Sequence, residues 1–192
     1  MPKKNRVQPA SIPVGVILAP ARRAIPRGWA WVIFLCLSAG LVFLDQWLKV
    51  WSTTNLSGQP RRVVLDGILG LTYFHNTGAA FGFLNDVAWG MWFLTVVKAI
   101  LLSMVMYYFT RLRHGGVQWM ARLALILVFA GGLGNLIDRI RLGYVVDMLE
   151  FLFIRFAIFN LADVYVTVGV VALFIAILAM GKDAPWFGET KA

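Results

Sequence analysis

Four runs of the chain are apolar over lengths near the roughly 20 residues that cross a hydrocarbon layer as a helix. They are Trp29–Leu48, about Val87–Phe109, Trp119–Ile137 and Ala162–Met180. A backbone in lipid must satisfy its own N–H and C=O groups, which confines such runs to helices. The runs therefore predict an all-α membrane protein with four transmembrane helices. Composition agrees: 60% of the 192 residues are hydrophobic and 14% charged, against about half and a quarter in a soluble domain. A fifth apolar stretch, Met148–Phe159, is too short to span and is interrupted by Glu150 and Arg155. It is expected to be an interfacial or re-entrant segment.

Four spans place both termini on one side. That side carries eleven Lys and Arg residues and the other side six, with Lys98 inside the second span. The positive-inside rule then predicts cytoplasmic termini. The net charge of +9 thus describes topology and attraction to anionic lipid, and no nucleic-acid partner is expected. Seven of the nine acidic residues fall on the outer side or at outer span ends. Acids do little to set orientation, so this bias points to a site at the outer face.

Residues 1–28 are basic and rich in proline and are expected to be a disordered cytoplasmic tail. Residues 29–181 are expected to form one four-span domain, and 182–192 a short cytoplasmic tail. The first run lacks a small-residue cleavage site, so it reads as a retained span rather than a signal peptide. Cys36 is the one cysteine. It excludes an internal disulfide, and Phe34 and Leu35 before it do not suit a lipoprotein acceptor site. His75 and His114 fall on opposite sides, so no metal or other cofactor is expected.

The first outer loop contains RRVVLDGILGLTYF at 61–74. It reads as two short strands around the favoured turn pair Asp66-Gly67, a small outer β-hairpin. HNTGAAFGF follows at 75–83; Asn76 and the small Gly78, Ala79 and Ala80 would let a backbone approach a ligand closely, or form a turn into a helix. The third span ends in GGLGNLIDR, 131–139, whose glycines permit close helix contact. Asn135 and Asp138 share a helix face and Arg139 lies one turn beyond Asn135. That cluster reads as part of a site or as a snorkelling anchor with an internal ion pair. Asp45 and Lys49, in DQWLK, are spaced i, i+4 and form a mildly stabilising helix pair. Lys98 sits near the centre of its span, where an unpaired charge is costly.

Asp147 lies within GYVVDMLEF and Asp163 within FNLADVY, sixteen residues on. A loop of that length can return both to one pocket. Two adjacent carboxyls share a proton, the state an aspartic protease requires. No GxSxG or HExxH pattern offers another hydrolytic chemistry. The residues alone leave three readings open: an intramembrane hydrolase, a proton- or cation-coupled transporter, and an assembly protein.

Five pieces, in order, resemble the lipoprotein signal peptidases (signal peptidase II), a family of bacterial membrane aspartic proteases: DQWLK, NTGAAFGF, GGLGNLIDR, GYVVDMLEF and FNLADVY. The similarity runs from about Trp31 to Met180. The resemblance implies that Asp147 and Asp163 are the catalytic pair. It also implies that Asp45 and Lys49 support the site, and that Asn76 and Gly78 lie near substrate. Asn135, Asp138 and Arg139 orient substrate or stabilise the site, and Asn160 precedes the second catalytic Asp. The substrate so implied is a prolipoprotein carrying a diacylglyceryl-modified Cys, cut before that Cys, and the location so implied is the bacterial inner membrane.

Overall fold

The computed structural model describes residues 27–78, 89–112 and 116–181. Four long helices, α1 (Arg27–Leu56), α2 (Gly90–Arg111), α3 (Gly116–Leu142) and α4 (Leu161–Met180), each hold a stretch apolar enough to cross a membrane. Two helices outrun their apolar stretches: α1 continues past Leu48 and α3 past Ile137. Lys49 in the first extension and Asp138 in the second are buried and paired at 2.9 Å, whereas Thr53, Thr54, Asn55 and Arg141 are exposed. The expectations for both tails, for Ala79 and Ala80, and for His114 fall outside the described residues.

The helix α3 is the central post. Its apolar stretch is 56% buried, against 22% in each of the other three. The GGLG motif explains how three helices reach it. A Cβ on Gly131 would collide with the Ala162 carbonyl of α4, one on Gly132 would meet Leu102 of α2 at 2.7 Å, and one on Gly134 would meet Asp45 of α1 at 2.6 Å. The expected close contact is thus present, with a different neighbour at each glycine.

At one end, Phe34, Phe109, Leu125 and Ile126 form the main apolar core. Arg122 ties the α2–α3 connection there: Nη2 donates to the Leu112 carbonyl at 2.6 Å, and the guanidinium lies over Phe109 and Trp119. The outward faces of α2 and α4 remain apolar and exposed, including Trp92, Phe93, Phe174 and Leu178, as lipid-facing surfaces should be.

The other end carries an antiparallel sheet of β1 (Arg62–Leu65), β2 (Leu69–Asn76) and β3 (Val145–Phe151), in the order β1-β2-β3. The predicted hairpin is there. Gly67 takes a left-handed φ of 68°, and the Ile68 amide donates to the Leu65 carbonyl at 3.0 Å. The third strand departs from expectation. The first part of Met148–Phe159 belongs to β3, and the chain then returns so that Phe159 and Leu149 exchange backbone hydrogen bonds of 2.8 and 3.0 Å. Val145, Val146, Asp147 and Met148 are all buried. A strand covered on both faces shows no alternation of apolar and polar residues. Met148 and Val146 pack with Leu56 of α1, seating the sheet on the bundle.

Candidate active site

The register of β2 on β3 sets Phe74 opposite Asp147 and Asn76 opposite Val145. This places the Asn76 amide beside the aspartate, where Nδ2 donates to Asp147 Oδ2 at 2.9 Å. Asn160 Nδ2 donates to the other oxygen, Oδ1, at 2.6 Å. Asp147 is 1% exposed. Burial pushes its carboxyl up from 3.8 to about 7, helped by the charge of Asp163 and opposed by the two amides and Lys49.

Asp163 lies in the first turn of α4 and is held by a capping box. Its backbone amide donates to Asn160 Oδ1 at 3.0 Å, and its Oδ2 accepts from the Asn160 amide at 3.2 Å. Its Oδ1 accepts from Asn135 Nδ2 at 2.8 Å. Asn160 is therefore both the helix cap and the link between the aspartates. It also donates to Asn135 Oδ1 at 3.0 Å, so one amide network spans both carboxyls.

Beneath that network Lys49 is saturated. Nζ contacts Asp45 at 3.0 Å, Asp138 at 2.9 Å and Asn135 Oδ1 at 2.8 Å, three acceptors for three N–H groups. Asp45 Oδ1 accepts the Ala162 amide, one of the donors that the first turn of α4 leaves without a helical partner. Asp138 Oδ2 accepts the Val146 amide of β3. The cluster thus pins α1, α3, α4 and β3 together. Two expectations change here. Asp45 and Lys49 form a fully buried pair rather than a mild helix-surface pair. Asp138 pairs with Lys49 and not with Arg139. Removing one side of such a buried cluster costs about 3–5 kcal/mol.

Arg139 is 8% exposed; its Nη2 donates to the Gly78 carbonyl at 3.0 Å, while Nε and Nη1 have no hydrogen-bond partner among the described residues. The Gly78 amide in turn donates to Asn76 Oδ1 at 3.2 Å. Asp147, Asp163, Asn76, Gly78, Asn135 and Arg139 all line one cavity of about 580 Å³, whose remaining walls are mostly apolar side chains of α2, α4 and residues 151–159.

A family model described as Signal peptidase (SPase) II matches residues 37–179. The lipoprotein signal peptidases of Streptococcus pyogenes serotypes M1 and M18 (strain MGAS8232) are each 42% identical to this chain over 137 residues. Those residues are 71% of this chain and 87% of each relative. The chain belongs to the signal peptidase II family. Two solved structures described as bacterial membrane enzymes are similar to this peptidase. One has a TM-score of 0.67 at 27% identity, covering 88% of this chain and 97% of that one. The other has 0.65 at 29%, covering 81% and 96%.

In this peptidase all ten residues picked out in the sequence converge on the cavity or on the layer directly beneath it. Gln46 was not among them. Its Nε2 donates to Asp138 Oδ1 at 2.9 Å and to the Gly134 carbonyl at 3.1 Å, bracing the Lys49 cluster. Its one signal was its place in the polar turn DQWLK. Phe156 and Phe159, which wall the cavity, gave no signal beyond being apolar.

Proposed function

We propose that this signal peptidase II family member is an aspartic endopeptidase in which Asp147 and Asp163 share one proton. The observation that carries this reading is their joint placement. Both line one apolar cavity, Asn160 bonds to both, Asn76 also donates to Asp147 and Asn135 to Asp163, and the Asp147 carboxyl is held up to about 7. Asp147 is the proton holder and donates to the oxygen of the scissile carbonyl. Asp163, at the positive end of α4, takes a proton from water, whose oxygen attacks the carbonyl carbon. The tetrahedral intermediate collapses as Asp163 passes that proton to the amide nitrogen, Asp147 takes back a proton from one of the two hydroxyls and the C–N bond breaks, giving a carboxylic acid and an amine and restoring the dyad. No nucleophilic side chain and no cofactor enters this sequence.

The substrate in this reading is a prolipoprotein with a diacylglyceryl-modified Cys, cut before that Cys. Apolar cavity walls suit an apolar signal segment and acyl chains that arrive laterally through lipid, and the relatives are named for lipoprotein processing. Both termini are cytoplasmic and the sheet end faces outward. The test is cleavage of a purified diacylglyceryl prolipoprotein by the Asp147→Asn and Asp163→Asn variants. Each is expected to lose about 10²–10⁴-fold or more in turnover. Near-normal turnover in either variant overturns the reading.

A further inference from the structure

The layer beneath the dyad does not balance its own charge. Lys49 meets two carboxyl groups, Asp45 and Asp138. Every hydrogen bond to those two groups comes from a donor: the Ala162 and Val146 amides, Gln46 Nε2 and Lys49. Groups that only accept are carboxylates rather than acids, so this layer keeps one negative charge. The dyad with one shared proton adds a second. Arg139, in the cavity wall, supplies one positive charge. Among the described residues that line the cavity, the other cation is Lys98 of α2. Lys49, Arg139 and Lys98 then match Asp45, Asp138 and the one-proton dyad, and buried charge is costly unless it is matched.

The height of Lys98 in the bundle suits that role. The end of α2 is tied to the start of α3 through Leu112 and Arg122, so the two helices run antiparallel. A Cβ on Gly132 would meet Leu102, which fixes their relative height. Lys98 lies four residues before Leu102, and Asn135 three residues after Gly132, steps of about 6 and about 4.5 Å in the same direction. Lys98 is thus roughly level with Asn135, which donates to Asp163. The charged groups that act on Lys98 from other elements are Arg139 of α3, Asp163 of α4, Lys49 of α1 and Asp147 of β3. None of the ion pairs among the described residues includes it, and its ammonium makes no hydrogen bond to them. It acts across the cavity as a charge. In a protein setting a unit charge about 8 Å away still moves an acid equilibrium about tenfold or more.

We propose that Lys98 is a positioning residue whose charge, set across the cavity from Asp147 and Asp163, holds the dyad at one proton. This rests on the peptidase reading above. Without that charge the buried assembly is neutral only when the dyad holds two protons. A doubly protonated dyad has no carboxylate to take a proton from water, so the reaction waits for a higher pH.

The test uses the full chain in detergent micelles and a synthetic lipopeptide carrying an S-diacylglyceryl Cys, with kcat/KM measured against pH. The limbs of that profile belong to the dyad as a pair. Removing a cation disfavours carboxylate, so Lys98→Met is expected to move the acid limb up by about one pH unit or more. Met suits a spanning helix, where the lysine is the costly residue. Lys98→Arg, which keeps the charge, should return the limb to its place in the unsubstituted enzyme. No change in Lys98→Met, or an equal loss at every pH with the limb in place, overturns the proposal, since a substrate contact or a packing role would act that way. Carboxyl-13C aspartate NMR in the same micelles follows the proton without cleavage, the dyad signals being those lost in Asp147→Asn and Asp163→Asn. The first deprotonation of the dyad should also rise by about one unit in Lys98→Met; an unmoved titration overturns the proposal. A shifted titration in a chain that cleaves no lipopeptide supports Lys98 and counts against the peptidase reading instead.

Discussion

Asp147 receives two amide donors, and each favours its charged form, yet its carboxyl is held at about 7. Burial decides the balance, because removing a carboxylate from water outweighs two neutral hydrogen bonds. The direction of the pH effect follows. A carboxyl raised in the folded state from 3.8 to about 7 binds more protons folded than unfolded between those values. Its contribution to stability is therefore greatest at low pH, falls as pH rises through that window, and is lost above about 7. The same proton serves catalysis in the proposed mechanism, since Asp147 must hold it to polarise the carbonyl. We expect kcat/KM on a diacylglyceryl prolipoprotein to fall on the alkaline side with an apparent pKa near 7, approaching tenfold per pH unit well above it. Steady-state rates across the neutral range measure this. A flat profile up to about pH 9 would remove Asp147 as the proton donor.

The α3 helix shows how an element turns sequence into a site. Its GGLG run lets α4 approach closely enough for Asp163 to reach Asn135, three residues beyond Gly132. Gly131→Ala would drive a methyl into the Ala162 carbonyl, within the turn that carries Asp163. It is expected to cost about 1–3 kcal/mol by overpacking and to lower activity with it. Gly40→Ala in α1, where a Cβ meets nothing within 4 Å, should leave both unchanged or raise stability by a few tenths of a kcal/mol. Thermal unfolding in detergent separates the two, and equal behaviour would discount the close α3–α4 contact. The four helices and the β1–β2 hairpin were legible because apolar length and a turn pair are local signals. β3 was not, since a strand buried on both faces is one more apolar run. The aspartates stood out as acids among apolar neighbours. Beyond the Asp45–Lys49 pair, what Lys49 and Gln46 bind could not be read, because those partners lie 86 to 92 residues away along the chain and only the fold brings them together.

On the scale of the molecule, the two ends differ in kind. One is an apolar core of Phe34, Phe109 and Ile126. The other gathers Asp45, Lys49, Asp138, Asp147, Asn160 and Asp163 beneath a sheet. A membrane places such ends on opposite faces, and the side chains that set orientation are Lys and Arg. Eleven of them fall with the termini and six with the sheet, so the sheet end is expected to face outward. A prolipoprotein exported across the membrane would then meet the dyad where its Cys emerges. Single cysteines test this in a Cys36→Ser background. Asp66→Cys places a thiol in the exposed turn between β1 and β2, and His114→Cys places one in the connection between α2 and α3. A membrane-impermeant maleimide added to intact cells should label the first to near completion. The second should react only after lysis, with at least a tenfold contrast between the two before it. The reverse pattern would turn the sheet, and with it the proposed site, toward the cytoplasm, where an exported substrate could not reach it.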